Sequence, residues 1–419
     1  MAQSPDALQA LLPDLVSTNG TRLQTFGHGL ADGCSDKHKM FNALHTQIEK
    51  TSPEKRNISV LMGFLSASAE SEPSFYNSIL DTLITDDVLG QWFPILQTAS
   101  TIDERGVKRL HKALDLGTPI HNFRYLAWGR AHESINDDEL AGLLKKILSK
   151  EGGCGVASEI LKMRLHSRSE ESLQFSESLI AVAQGVLSLH SFEDERSRQN
   201  NRDYDLADIA RMCLNRKNGV PVATQVCQRL AKAVMEHRIF ASDYPKLLDS
   251  LAQAQPRVFL DVFLGENVGN NLRRRMFSHD IESRGIPLDQ IPDGDLLSWC
   301  EDDRAVRYPI VAAAIQAFTK SAQTGKLEWK PIVYAILERA PDLDPILEHL
   351  ADAIRPRSWS GSRADILLSR AELFQELYKY DNAKIRAWAK AQYSDLQELI
   401  RKEREWEEQS HHKRDERFE

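Results

Sequence analysis

The chain has 419 residues, 42% hydrophobic and 27% charged, with a formal net charge of −8. That length can bury a large core, and that balance is ordinary for a soluble folded protein. The negative charge excludes a general attraction to nucleic acid or anionic membrane, so only local basic patches could draw either.

The elements read as helix after helix. Ser4-Pro5 opens the first, with proline where a missing N–H costs nothing. Ser35 precedes a helix running to about Lys50. Ile58, Leu61, Met62 and Leu65 share one helical face. Pro94 falls inside a helical pattern and is expected to kink or split it. Asn136, followed by Asp137, Asp138 and Glu139, sets a cap and acidic groups at a helix N-terminus, and Gly152-Gly153 closes that helix. Phe175, Leu179, Val182, Val186 and Leu189 form another apolar face. Asn19-Gly20 and Asn218-Gly219 read as helix ends. Alternation of period two is sustained nowhere, so strands are not expected. The pattern predicts an all-α chain of roughly eighteen to twenty helices joined by short polar turns.

Residues 191–203 are charged and nearly free of apolar side chains, and 282–295 hold two prolines and two glycines. Both read as joints. They divide the chain into an N-terminal block at 1–190, a middle block at 204–281 and a C-terminal block at 293–400. The charged tail, 401–419, is expected to extend the last helix into solvent and fray.

In the stretch RPRSWSGSRADILLSR, Ser362 stands three residues before Asp365, a capping-box pattern. Leu367, Ala371, Phe374 and Tyr378 then form an apolar stripe, widened by Ile366, Leu373 and Leu377. After the break at KYDN comes a second stripe, Ile385, Ala389, Tyr393, Leu396 and Ile400, flanked by Trp388. Two such helices joined by a short turn bury both stripes by packing antiparallel.

The second of these helices resembles the second helix of a HEAT repeat. The resemblance rests on Asp381 at its start, the pair Ile385-Arg386, the small residues Ala387 and Ala389, and Leu396. It covers one repeat of about 35–40 residues, a length usual for such arrays. It implies an α-solenoid of antiparallel helix pairs, each burying its neighbour's apolar face, and no single function. GRAHESINDDELAGLLKKI, EGGCGVASEILKMRL, RPRSWSGSRADIL and RDERFE also resemble the C-terminal helical region of large bacterial proteins. The N-terminal parts of those proteins carry signal-transduction ATPase modules or effector domains, some in antiphage defence. That resemblance implies a sensor or scaffold part of such a system.

The chemistry sought is mostly missing. KSAQTGKLE has Lys320 where a phosphate-binding loop needs its first glycine and Leu327 where it needs a hydroxyl. GGCGVASE reads as a turn between helices. His38 and His45 are seven apart with no carboxylate placed as a base, and His411-His412 lie in the charged tail. Ser360 has no strand before it to form a nucleophile elbow. Asp302/Asp303 and Asp342/Asp344 stand at helix starts, where capping explains them. The five cysteines, Cys34, Cys154, Cys213, Cys227 and Cys300, are widely spaced with no Cys-x-x-Cys. They predict reduced thiols in a cytoplasmic protein, with neither disulfides nor zinc. No basic stretch followed by an apolar run precedes residue 25, and no run of about 18 apolar residues occurs, so neither signal peptide nor membrane span is expected.

Two arginine clusters remain. Arg273, Arg274 and Arg275 follow a Gly-Asn-Asn turn. Guanidinium forks bind oxyanions, but consecutive helical residues point about 100° apart, so at most two could serve one ligand. Arg355, Arg357 and Arg363 surround Trp359, a combination suited to a base and its phosphate or to an acidic peptide. The competing structural expectation is that Trp359 packs on a neighbouring helix pair while the arginines pair with Asp352 and Asp365. The sequence therefore predicts a non-catalytic scaffold or sensor without cofactor, metal or membrane, binding a protein partner. The alternatives are nucleic-acid binding through the arginines, or an enzyme assembled from His111, His121, His132, Asp103 and Glu104.

Overall fold

The computed structural model describes residues 5–166, 175–193, 202–277 and 285–415. It is mostly helical and divides into two compact units, Met1–His190 and Ser191–Glu419.

The first unit holds α1 (Pro5–Leu15), α2 (Leu23–Gly33), α3 (Lys37–Lys50), α4 (Ser59–Ser71), α5 (Pro73–Leu83), α6 (Phe93–Gln97), α7 (Glu104–Asp115), α8 (Asp137–Leu148), α9 (Gly153–His166) and α10 (Glu177–Leu189). Local chemistry sets most starts. The side chains of Asp103, Asn136 and Ser176 accept from backbone N–H groups three residues on, at 2.8, 2.9 and 3.3 Å. At α3 the cap is Asp36, one residue past the expected Ser35, and it accepts from Lys39 N at 2.9 Å. Pro94 does not interrupt a longer helix as expected: it stands in the first turn of the short α6, after a 3₁₀ turn at Gly90–Trp92, where its missing N–H costs nothing. Of GGCGVASE, expected as a turn, only Gly152, with φ of 74°, lies between α8 and α9; Gly153 onward is already α9.

Helices two places apart pack together, α2 on α4 and α8 on α10. At the α2–α4 crossing the backbones touch. A Cβ on Gly27 would lie 1.9 Å from Val60 O, and one on Gly63 1.8 Å from Gln24 O. Buried arginines tie neighbouring helices. Arg109 on α7 donates to Asp81 Oδ1 at 2.7 Å and to Asn77 O at 2.9 Å, both on α5. Arg164 on α9 donates to Asp137 Oδ1 at 2.8 Å and to the carbonyls of His132, Glu133 and Ile135. On the α10 face Leu179, Val182 and Val186 are buried as expected, but Leu189 is 55% exposed at the helix end.

The second unit holds α11 (Arg202–Leu214), α12 (Val220–Met235), α13 (Pro245–Ala254), α14 (Pro256–Phe263), α15 (Asn270–Met276), α16 (Asp293–Glu301), α17 (Arg304–Ala314), α18 (Pro331–Arg339), α19 (Asp344–Ile354), α20 (Arg363–Glu376) and α21 (Ala383–Asp415). Here α11 packs on α13, α12 on α14 and α17 on α19. A short antiparallel hairpin interrupts the helices, β1 (Phe318–Lys320) with β2 (Leu327–Trp329), Phe318 opposite Trp329. This corrects the expectation of no strands. Three residues a side are too few for alternation to show, yet Phe318 and Trp329 point inward, and Trp329 Nε1 donates to Leu373 O at 2.8 Å. The rejected phosphate loop is the turn of this hairpin.

The last two helices pack antiparallel, with Phe374 against Trp388 at 5.3 Å and Ser362 Oγ donating to Glu407 Oε2 at 2.8 Å. Leu367, Ala371, Phe374, Ile385, Ala389, Leu396 and Ile400 are buried between them and their neighbours. Asn382 rather than Asp381 caps α21, accepting from Lys384 N at 2.9 Å, and Arg386 donates to Tyr380 O and Asp381 O, both at 2.7 Å. Residues 401–415 continue α21. Glu407 Oε1 there accepts from the N–H groups of Arg363 and Ala364 at 2.8 and 3.2 Å.

Candidate functional site

The two arginine clusters, some eighty residues apart in the chain, open on one cleft of the second unit, with a volume of about 1850 Å³. Arg273, Arg274, Arg275, Arg355, Arg357 and Trp359 all line it. Its floor includes Pro309, Ile310 and Ala312–Ala314 of α17, then Ile315 and Ala317. Among the described residues that line it, six arginines and Lys246 face four aspartates, a positive balance in a chain whose net charge is −8.

The three consecutive arginines do separate tasks, as their spread about the helix requires. Arg273 donates to Gly265 O at 2.8 Å and Leu264 O at 3.3 Å, at the end of α14. Burial there pulls its pKa down from the usual guanidinium value. Arg275 donates to Val234 O at 3.0 Å and Met235 O at 3.2 Å, at the end of α12, and to His237 Nε2 at 2.8 Å. A cation at these carbonyls suits the helix dipole. Arg274, between them, is exposed and has no partner among the described residues.

The second cluster also divides. Arg363 pairs with Glu403 of α21 and lies 4.7 Å from the Trp359 ring centroid. Arg363 is not among the residues lining the cleft, so it props Trp359 from the side. Arg355 and Arg357 are exposed without a partner among the described residues. The pairing expected with Asp352 and Asp365 is not made: Asp352 is exposed, and Asp365 lies 3.6 Å from Arg404. Trp359 is not packed away either, being 48% exposed.

Two aromatic side chains that the sequence reading did not single out share the cleft. Tyr204 of α11 is 58% exposed and Phe240, after α12, is 61% exposed. No local motif marks them, because their meaning comes from tertiary neighbours on other helices. Three of the four aspartates are already engaged. Asp203 accepts from the N–H groups of Lys246 and Leu247 at 3.0 and 2.9 Å, Asp243 from Phe240 N at 2.8 Å, and Asp249 lies 3.8 Å from Lys246. Burial raises the carboxyl pKa of both Asp203 and Asp249.

The other candidate groups are placed separately. His132 is fully buried, its Nδ1 3.1 Å from Leu126 O, and burial lowers its pKa. His111 is half-buried near Lys146, His121 is exposed, and Asp103 caps α7. His38 packs edge-on to Phe75 at 4.7 Å, and His45 Nε2 lies 2.7 Å from Asp86 Oδ2. Among the described residues no three His, Cys, Asp or Glu side chains gather as a metal site. All five cysteines are free thiols. Burial pushes the thiols of Cys213 and Cys300 up to about 12. Among the described residues no helix is long and apolar enough to cross a membrane. Comparison with protein-family models, with curated proteins and with solved structures finds no match.

Proposed function

We propose that the chain is a non-catalytic helical recognition module, a HEAT-like stack of helix pairs that serves as scaffold or sensor and binds a protein partner through the cleft of its second unit. The supporting observation is the convergence of three unpartnered guanidiniums, Arg274, Arg355 and Arg357, with three exposed aromatic rings on one apolar-floored cleft. Aromatic and arginine side chains dominate the energetics of protein interfaces. The helices packed two places apart support the stacked reading.

The test is site-specific photo-cross-linking in native host extract, with p-benzoylphenylalanine replacing Phe240. The control position is Trp128, 57% exposed in the first unit. A defined protein adduct from position 240 and none from 128 supports the module. Absence of any protein adduct at position 240 refutes it. The aromatic rings also suit a second reading, single-stranded nucleic acid stacked along the cleft.

A further inference from the structure

We infer that the cleft takes an acidic–apolar polypeptide segment. Its Asp and Glu carboxylates pair with Arg274, Arg355 and Arg357, and its bulky apolar side chains settle beside Trp359 on the α17 floor. This rests on the module reading and names the chemistry of its partner. Charge complementarity carries the argument. The free cations are guanidiniums, whose planar forks match carboxylates bidentately. Their negative counterparts in the cleft are mostly spent on backbone N–H groups and Lys246. The floor of Pro309, Ile310 and Ala313 offers no charge, and it gains only from burying apolar surface.

The same inventory disfavours a phosphodiester strand. Asp352 stands in the cleft without a partner among the described residues. A polypeptide can set a backbone N–H or a lysine against it, whereas a DNA backbone brings no donor and repels it. The cations that would track a strand are also reduced, because Arg273 and Arg275 are held by helix-end carbonyls.

Random peptide display on the full chain, run in parallel on the R274E/R355E/R357E variant, tests this. Sequences recovered on the wild type should be rich in Asp and Glu with Leu, Phe or Trp, and should be absent from the variant selection. Fluorescence anisotropy with one recovered peptide should then show binding about tenfold weaker or more in the triple variant. Trp359→Ala should weaken it by a similar factor while leaving the thermal melt unchanged, because that ring is exposed. Recovery of basic or uncharged peptides, of none, or of peptides held equally by the triple variant overturns the inference. So does a (dT)20 oligonucleotide that displaces the peptide and whose affinity falls steeply between 50 and 200 mM salt, roughly as counterion release requires. A cross-link from position 240 to a basic segment of a partner would end this inference and leave the module reading standing.

Discussion

Gly27 and Gly29 sit two residues apart on α2 and face opposite surroundings, so replacing each with alanine separates propensity from packing. Both variants gain about 1 kcal/mol of helix propensity over glycine. At position 29 nothing lies within 4 Å of the new methyl, so that gain survives. At position 27 the methyl would stand 1.9 Å from Val60 O and 2.9 Å from Phe64 N. Restoring an ordinary contact requires α2 to lift off α4 by roughly 1.5 Å, which opens a packed interface along both helices. Overpacking against backbone costs about 3 kcal/mol or more at such a site, and the net loss is about 2 kcal/mol or more. For a unit of this size about 1 kcal/mol moves the midpoint by roughly 2–4 °C. Gly29→Ala should raise the thermal transition of the first unit by a few degrees, and Gly27→Ala should lower it by at least as much. Calorimetry on the full chain measures both. Equal midpoints for the two variants would refute the claim that the helix backbones touch.

Three other outcomes follow from buried groups. Arg164→Ala takes the guanidinium from Asp137 and from three carbonyls and should destabilise the first unit by about 3–5 kcal/mol in denaturant titration; a loss below about 1 kcal/mol would contradict that network. Burial holds the folded pKa of His132 below its unfolded value of about 6.5, so its neutral form is present above that pH and stability is lost as the pH falls through it. Denaturant titrations at pH 7 and pH 5 should show this drop, and His132→Gln should reduce it; an unchanged drop would assign the effect to other groups. Glu407→Ala removes the acceptor shared by the Arg363 and Ala364 amides and should cost about 1–2 kcal/mol. Hydrogen exchange at those two amides should accelerate, and unchanged rates would show that the carboxylate does not cap α20.

The helical class and many helix starts were legible because their causes are local. Asn136 caps Glu139, and Ser362 caps Asp365 at 3.1 Å, each within three residues. Pro94 and the glycines near 152 also act on their own neighbourhood. The β1–β2 hairpin was not legible, since three residues a side carry no period. Of the cleft, the arginines and Trp359 were legible as residue types. Their division of labour was not. Arg275 reaches a carbonyl 41 positions away in sequence, and Arg363 finds Glu403 at a separation of 40, so only tertiary packing shows which guanidiniums are spent. Tyr204 and Phe240 gain their meaning only beside α15 and α17, which no spacing rule connects to them.

The carboxylate that completes the first turn of α20 is translated 45 residues after Ser362. Until the ribosome has passed Glu407, the amides of Arg363 and Ala364 lack their acceptor and Arg363 lacks Glu403, so nothing holds the guanidinium against Trp359. The aromatic lip of the cleft thus depends on residues 40 and more positions downstream. The placement of Trp359 therefore waits on the docking of α21, a helix made well after the ring that it steadies.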